Sequence, residues 1–284
     1  MVTPLDRIGE KQATYVAEGM VLDTMTSSSG PLMQTTPVVE LRSVDFHYRP
    51  DEPILSDFNV AVEEGELLVL LGPSGCGKST TMNLVAGLLA PTNGTVLFGG
   101  QPLQGVNRGV GYMTQGDTLL PWRTVAANVG LPLSLRNMGR AESSELVDRF
   151  LDLLDLKAAA NKYPSELSGG MKRRALLARS LIYEPSMLLL DEPFAALDAQ
   201  LRERMQQELL DTIRRLDRSA LFITHDLVEA SLIGDRIIVM GRHAAGVLLE
   251  VTSPFGKERD LEEVRITPEF VQLERQLRDA LREA

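Results

Sequence analysis

The sequence predicts an α/β domain with a mostly parallel core sheet, and three observations carry that prediction. Leu67-Leu68-Val69-Leu70-Leu71 is a short apolar run, as a strand buried on both faces requires. Met187-Leu188-Leu189-Leu190 and residues 220–224 are two further runs of this kind. The residues after the first run, 80–89, carry Met82, Val85, Ala86 and Leu89 at helical spacing, so strand, loop and helix follow one another.

Taken in order, residues 1–36 show no convincing period and close on Thr26-Ser27-Ser28-Ser29-Gly30-Pro31, which reads as a disordered leader. Met20, Met25 and Met33 leave later translation starts open. Residues 38–46 alternate apolar and polar positions with one slip, and residues 58–62 alternate more cleanly. These two segments predict an N-terminal antiparallel β subdomain, with Pro50-Asp51-Glu52-Pro53 as the turn region. Short strands are expected at 94–98 and 109–113. From about 117 to 180 helical periodicity dominates. Leu146, Phe150, Leu153 and Leu154 make an apolar stripe over 142–156, so this part reads as a helical subdomain inserted between two halves of the α/β domain. An amphipathic helix is expected over 201–216, with strands at 237–240 and 247–251. Phe270, Leu273, Leu277 and Leu281 mark a C-terminal helix. The resulting division is a leader (1–36), a main domain (37–255) and a C-terminal helical extension (256–284).

Composition narrows the function. The chain has 284 residues, 44% of them hydrophobic, enough for a substantial core. Its formal net charge of -10 disfavours nonspecific nucleic-acid binding and adsorption to an anionic leaflet. Membrane association would then run through a protein partner. The single cysteine, Cys76, excludes an intrachain disulfide and fits a reducing cytosol. No apolar run approaches the roughly 20 residues needed to span a bilayer. Asp6 and Glu10, with no apolar core beside them, argue against a secretion signal.

The chemistry starts at Gly72-Pro73-Ser74-Gly75-Cys76-Gly77-Lys78-Ser79, which fits G-x-x-x-x-G-K-[ST] between the predicted strand and helix. The glycines let backbone N–H groups turn inward toward phosphate oxygens, and the helix N-terminus adds positive potential. Lys78 is placed to reach the β- and γ-phosphates, and Ser79 to ligate Mg²⁺. Thr80 follows at the helix start. Cys76, inside the loop, reads as a small spacer. Asp191-Glu192-Pro193 ends a buried strand, where ligands of open parallel sheets sit. Asp191 is placed to hold Mg²⁺, and Glu192 to take a proton from an attacking water.

Leu167-Ser168-Gly169-Gly170-Met171 then completes a set. With the two nucleotide motifs it resembles the signature of ATP-binding cassette (ABC) ATPases, over about residues 38–251. The resemblance implies the P-loop NTPase fold, ATP hydrolysis with Mg²⁺, and further roles by position. Tyr48 matches the aromatic that stacks on adenine, with His47 and Phe46 as rivals. Gln115 matches the Mg²⁺- and water-sensing glutamine, His225 the switch histidine at the γ-phosphate, and Asp198 the D-loop. The signature is commonly followed by R-Q-R, whereas here it runs Lys172-Arg173-Arg174, which puts a specific contact by the middle side chain in doubt. Ala195 stands where the D-loop often has serine. The resemblance also implies a head-to-tail dimer, with Ser168, Gly169 and Gly170 of one chain closing on the ATP held by its partner, a second copy or a paralogue.

Leu119-Leu120-Pro121-Trp122-Arg123-Thr124-Val125 and Thr267-Pro268-Glu269-Phe270 are similar to stretches in importers of the nitrate, sulfonate, taurine and bicarbonate group. That similarity implies an ATPase subunit at the cytoplasmic face of the inner membrane, serving a permease and a separate solute-binding protein, with a small anionic solute as cargo. A soluble ABC ATPase acting in assembly or regulation is the alternative; a nucleic-acid-handling member is disfavoured by the single cassette and the acidic balance. Trp122, the one tryptophan, reads either as a core anchor of the helical insertion or as a wall of the groove that receives the permease.

Overall fold

The computed structural model describes residues 36–195, 197–242 and 246–284. The expected leader therefore lies outside the described residues except for Thr36. In chain order the strands are β1 (Val39–Arg49), β2 (Glu52–Val62), β3 (Leu67–Leu71), β4 (Asn93–Phe98), β5 (Gln101–Pro102), β6 (Val110–Met113), β7 (Met187–Asp191), β8 (Ser219–Thr224), β9 (Arg236–Met240) and β10 (Val247–Thr252). The α-helices are α1 (Lys78–Val85), α2 (Val125–Val129), α3 (Leu131–Leu135), α4 (Arg140–Leu153), α5 (Gly169–Leu181), α6 (Ala199–Arg215), α7 (Leu227–Ile233), α8 (Leu261–Arg265) and α9 (Pro268–Glu283).

Two sheets form. One, in the order β2-β1-β4-β5, is antiparallel; the other runs β10-β9-β3-β8-β7-β6 and is parallel except for the β10–β9 pair. This is the P-loop α/β fold with an antiparallel subdomain and a helical insertion that the sequence predicts. β3 lies between β8 and β9, and its side chains alternate between two cores: Leu67, Val69 and Leu71 enter one, Leu68 and Leu70 the other. All five are fully buried, which is why the run shows no polar alternation.

Several boundaries differ from the sequence reading for local reasons. The first two strands are longer than expected, so the turn between them shrinks to Pro50 and Asp51. Register shifts between Leu41 and Arg49 break the alternation that would have announced them. Pro53 is tolerated because β2 is an edge strand. α1 stops at Val85, short of Leu89, because Gly87 takes φ 68° and closes a Schellman turn: Gly87 N–H donates to Leu84 O, and Leu88 N–H to Asn83 O. A side chain at Gly87 would meet the Gly105 carbonyl at 1.9 Å. The short β5 and α8 carry too few residues to show a period.

The helical insertion packs on the larger core through Val125, Val129, Leu133, Phe150 and Leu151. Phe270, Leu273 and Leu277 of α9 join that same core. No helix among the described residues is long and apolar enough to cross a membrane.

Candidate functional site

The loop between β3 and α1 sets the centre of the site. Gly77 sits at φ 103°, and a Cβ there would press on Leu55 Cδ2 at 2.9 Å, so the turn into α1 admits only glycine. Lys78 is buried, and its ammonium donates to Gly72 O at 2.7 Å and Pro73 O at 2.9 Å. Cys76 is also buried, with Sγ 3.8 Å from Lys78 Nζ, so it packs under the loop as a spacer.

Four strand ends deliver the other groups. From the end of β1, the Tyr48 hydroxyl lies 3.4 Å from Thr80 Oγ1, while its ring stands edge-on to Phe46 and is 61% exposed. Phe46 is buried in the core, so Tyr48 is the ring with a free face. From β6, Gln115 Nε2 donates to Glu192 Oε2 at 2.9 Å. From β8, His225 Nδ1 lies 3.0 Å from Glu192 Oε1. Glu192 itself follows β7 in the left-handed region at φ 45°, held there by its N–H bond to Ile223 O at 3.0 Å. Tyr48, Ser74, Gly75, Gly77, Lys78, Ser79, Thr80, Gln115, Glu192 and His225, with Ile54, line one cavity of about 560 Å³.

Asp191 accepts a hydrogen bond from Ser79. Burial and the neighbouring Glu192 push its carboxyl above the ordinary value, while the Ser79 bond and Lys78 oppose that shift. A half-buried carboxyl beside a hydroxyl, with the Gln115 carboxamide bonded to the adjacent Glu192, is a set of hard oxygen donors suited to Mg²⁺. That ion is usually held by one or two carboxylates plus substrate phosphates. Among the described residues no group of three or more His, Cys, Asp or Glu could hold a metal by itself. The donors therefore fit an ion that arrives with a nucleotide better than a fully caged one.

Behind His225 lies a buried polar support. Asp226 N–H donates to Thr224 Oγ1 at 2.9 Å, and the Glu229 carboxyl accepts from Thr224 and from Gln206 Nε2, the latter at 3.1 Å. Burial pushes Glu229 above its ordinary value. Nothing in the sequence pattern singles out Gln206 or Glu229, which are 23 positions apart.

Ser168, Gly169, Gly170 and Asp198 do not line this cavity. Ser168 caps α5 by accepting from Met171 N–H, and Asp198 caps α6 by accepting from Leu201 N–H. The two helix starts meet where Gly170 faces Leu201 and Gly169 faces Leu197. Within one chain, the signature is thus built apart from the phosphate loop.

Trp122 is 71% exposed, which removes the core-anchor reading. An apolar groove of about 1000 Å³, larger than the loop cavity, runs between Leu88, Val106, Leu131, Leu135 and Tyr183, and Trp122 does not line it. This groove is bigger but holds neither the phosphate loop nor the carboxylates, so the smaller cavity is the candidate active site. The doubt over Arg173 is also resolved: it makes a specific contact, both terminal guanidinium nitrogens donating to the Gln115 carbonyl.

Comparison with known proteins gives a family and a set of relatives. The family described as ABC transporter matches residues 55–195. A putative ATP-binding protein of Brucella abortus is 42% identical over 218 residues, covering 76% of this chain and 83% of the relative. The nitrate import ATP-binding protein NrtD of Synechococcus elongatus is 40% identical over 232 residues, covering 80% and 84%. The taurine import ATP-binding protein TauB of Pelagibacter ubique is 39% identical over 220 residues, covering 76% and 83%. Among solved structures, a post-hydrolysis dimer of the ATP-binding cassette MJ0796 with ADP and Pi is 29% identical with a TM-score of 0.66, covering 77% of this chain and 100% of that one. CbiO1 of Clostridium perfringens, part of an ABC transporter complex, is 25% identical with a TM-score of 0.71, covering 84% and 94%.

Proposed function

The chain belongs to the ABC transporter family as an ATP-binding and ATP-hydrolysing subunit, and on that premise we propose how its residues divide the work and where it acts. The subunit powers a membrane importer for a small anionic solute, in the group that moves nitrate, sulfonates, taurine or bicarbonate. It works as a dimer with a permease partner. We place it at the cytoplasmic face of the inner membrane, with a separate solute-binding protein delivering cargo to the permease. The ATPase domain is assigned to 37–255, its helical part to about 117–180, and the extension to 256–284.

The observation that carries the mechanism is Glu192 held between Gln115 and His225 at the mouth of the phosphate loop. Gly72 to Thr80 receive the phosphates, chiefly through loop N–H groups and Lys78. Tyr48 offers its exposed ring to the adenine. Ser79, Asp191 and Gln115 hold Mg²⁺, which supplies neutralisation of phosphate charge when bound. Glu192 takes the proton of the attacking water, with its carboxylate aimed by Gln115 and His225. Ser168, Gly169, Gly170 and Asp198 act on the nucleotide of the partner subunit, which fits their placement outside this chain's own cavity. The exposed side chain of Trp122, which lies outside the apolar groove beside Leu131 and Tyr183, is the contact offered to the permease.

The test is ATP-driven uptake in vesicles carrying the permease, comparing wild type with Lys78→Ala. The expected outcome is loss of tight ATP binding and of uptake, with circular dichroism unchanged. A variant that binds ATP with wild-type affinity would remove the phosphate-loop assignment.

A further inference from the structure

The loop after β6 is gripped from one side by three cations of α5. Lys172 Nζ pairs with Asp117 at 3.1 Å. Arg173 donates through Nη1 and Nη2 to the Gln115 carbonyl at 3.2 and 3.1 Å. Arg179 donates to the Thr118 carbonyl at 2.8 Å and to its hydroxyl. Of these three, only Arg173 reaches the residue that touches Glu192, and it is buried at 8% exposure. Burial pushes its guanidinium below the ordinary value, against the pull of the Asp117 charge. A cation kept out of water at that cost needs a fixed acceptor. Arg174, the next residue, turns the other way to the Leu154 and Asp155 carbonyls, so α5 does not present its arginines to the loop indiscriminately.

We propose that Arg173 is a positioning residue for hydrolysis: by tying the Gln115 carbonyl to α5, it sets the reach of the Gln115 amide to Glu192. A planar fork can place two donors on one carbonyl, whereas a glutamine, with one shorter amide arm, cannot hold both contacts. The anchor lies on α5 five residues past the cap residue Ser168, so the same helix that opens on the signature fixes the glutamine. This rests on the reading of Gln115 and Glu192 as active-site groups.

The experiment measures phosphate release by the full chain for wild type, Arg173→Ala, Arg173→Lys, Gln115→Ala and the Gln115→Ala/Arg173→Ala double variant. Thermal melts and KM for Mg-ATP accompany each rate. Arg173→Ala is expected to lower kcat roughly ten- to a hundredfold, the scale of a small misplacement at a reacting group, with KM within about twofold. Arg173→Lys, which keeps a charged donor, recovers part of the rate. The double variant is no slower than Gln115→Ala alone, because the arginine acts through the glutamine. Additive losses, or an Arg173→Ala rate within about twofold of wild type, overturn the proposal. Should Arg173→Ala fail to fold, Arg173→Gln carries the same cycle, and failure of both to fold makes the residue structural and ends the proposal. A Gln115→Ala protein with the wild-type rate would instead remove Gln115 from the mechanism, a failure of the underlying reading that is visible by itself.

Discussion

Glu192 is asked to do chemistry from a backbone conformation that glutamate seldom adopts, at φ 45°. That conformation costs about 1 kcal/mol or more, and the bond to Ile223 O helps to hold it. Glutamine suffers the same penalty, so Glu192→Gln changes the proton acceptor and little else. Loaded with Mg-ATP, this variant is expected to bind nucleotide normally, to hydrolyse it about 10²–10⁴-fold more slowly and to run as a dimer on gel filtration. Hydrolysis at the wild-type rate would remove Glu192 as the base. The phosphate loop and the Asp191-Glu192 pair were legible in the sequence because contiguous residue types define them. The Glu192 dihedral was not, since a neighbouring strand imposes it. Nor was the Arg173 contact, made across 58 positions by a side chain whose type departs from the common pattern.

Among the elements, α9 shows how periodicity becomes stability. Thr267 caps it by accepting from Phe270 N–H, Pro268 occupies its first turn, and Phe270, Leu273 and Leu277 are buried on one face. Leu277 is fully buried while Val271 is 61% exposed. Leu277→Ala should therefore cost about 2–5 kcal/mol in urea unfolding, and Val271→Ala no more than about 0.5 kcal/mol. Equal, small losses would mean that α9 docks too loosely to belong to the core. This helix was readable from its stripe alone. β2 was only half readable, because extra residues of β2 itself between Pro53 and Phe58 break the two-residue period on which a strand is recognised.

At the scale of the whole molecule, Trp122 lies between the loop gripped by α5 and the cap of α2 at Thr124. Its 71% exposure means that Trp122→Ala should leave folding stability within about 0.5 kcal/mol and ATP affinity unchanged. Vesicle uptake should fall severalfold; uptake that tracks stability alone would show that the partner does not use this side chain. Large apolar residues are usually buried, so the sequence kept the core-anchor reading open, and the tertiary packing removed it.

The placement of β3 between β8 and β9, with its side chains shared by two cores, has a consequence in time. Amide protons in such a strand exchange with solvent only when most of the molecule opens, whereas short surface helices open locally and often. The phosphate loop is thus moored to the slowest-opening segment, while α2 and α3, five residues each, belong to faster-opening terrain. Fluctuations of the helical part can come and go without the nucleotide losing its anchor.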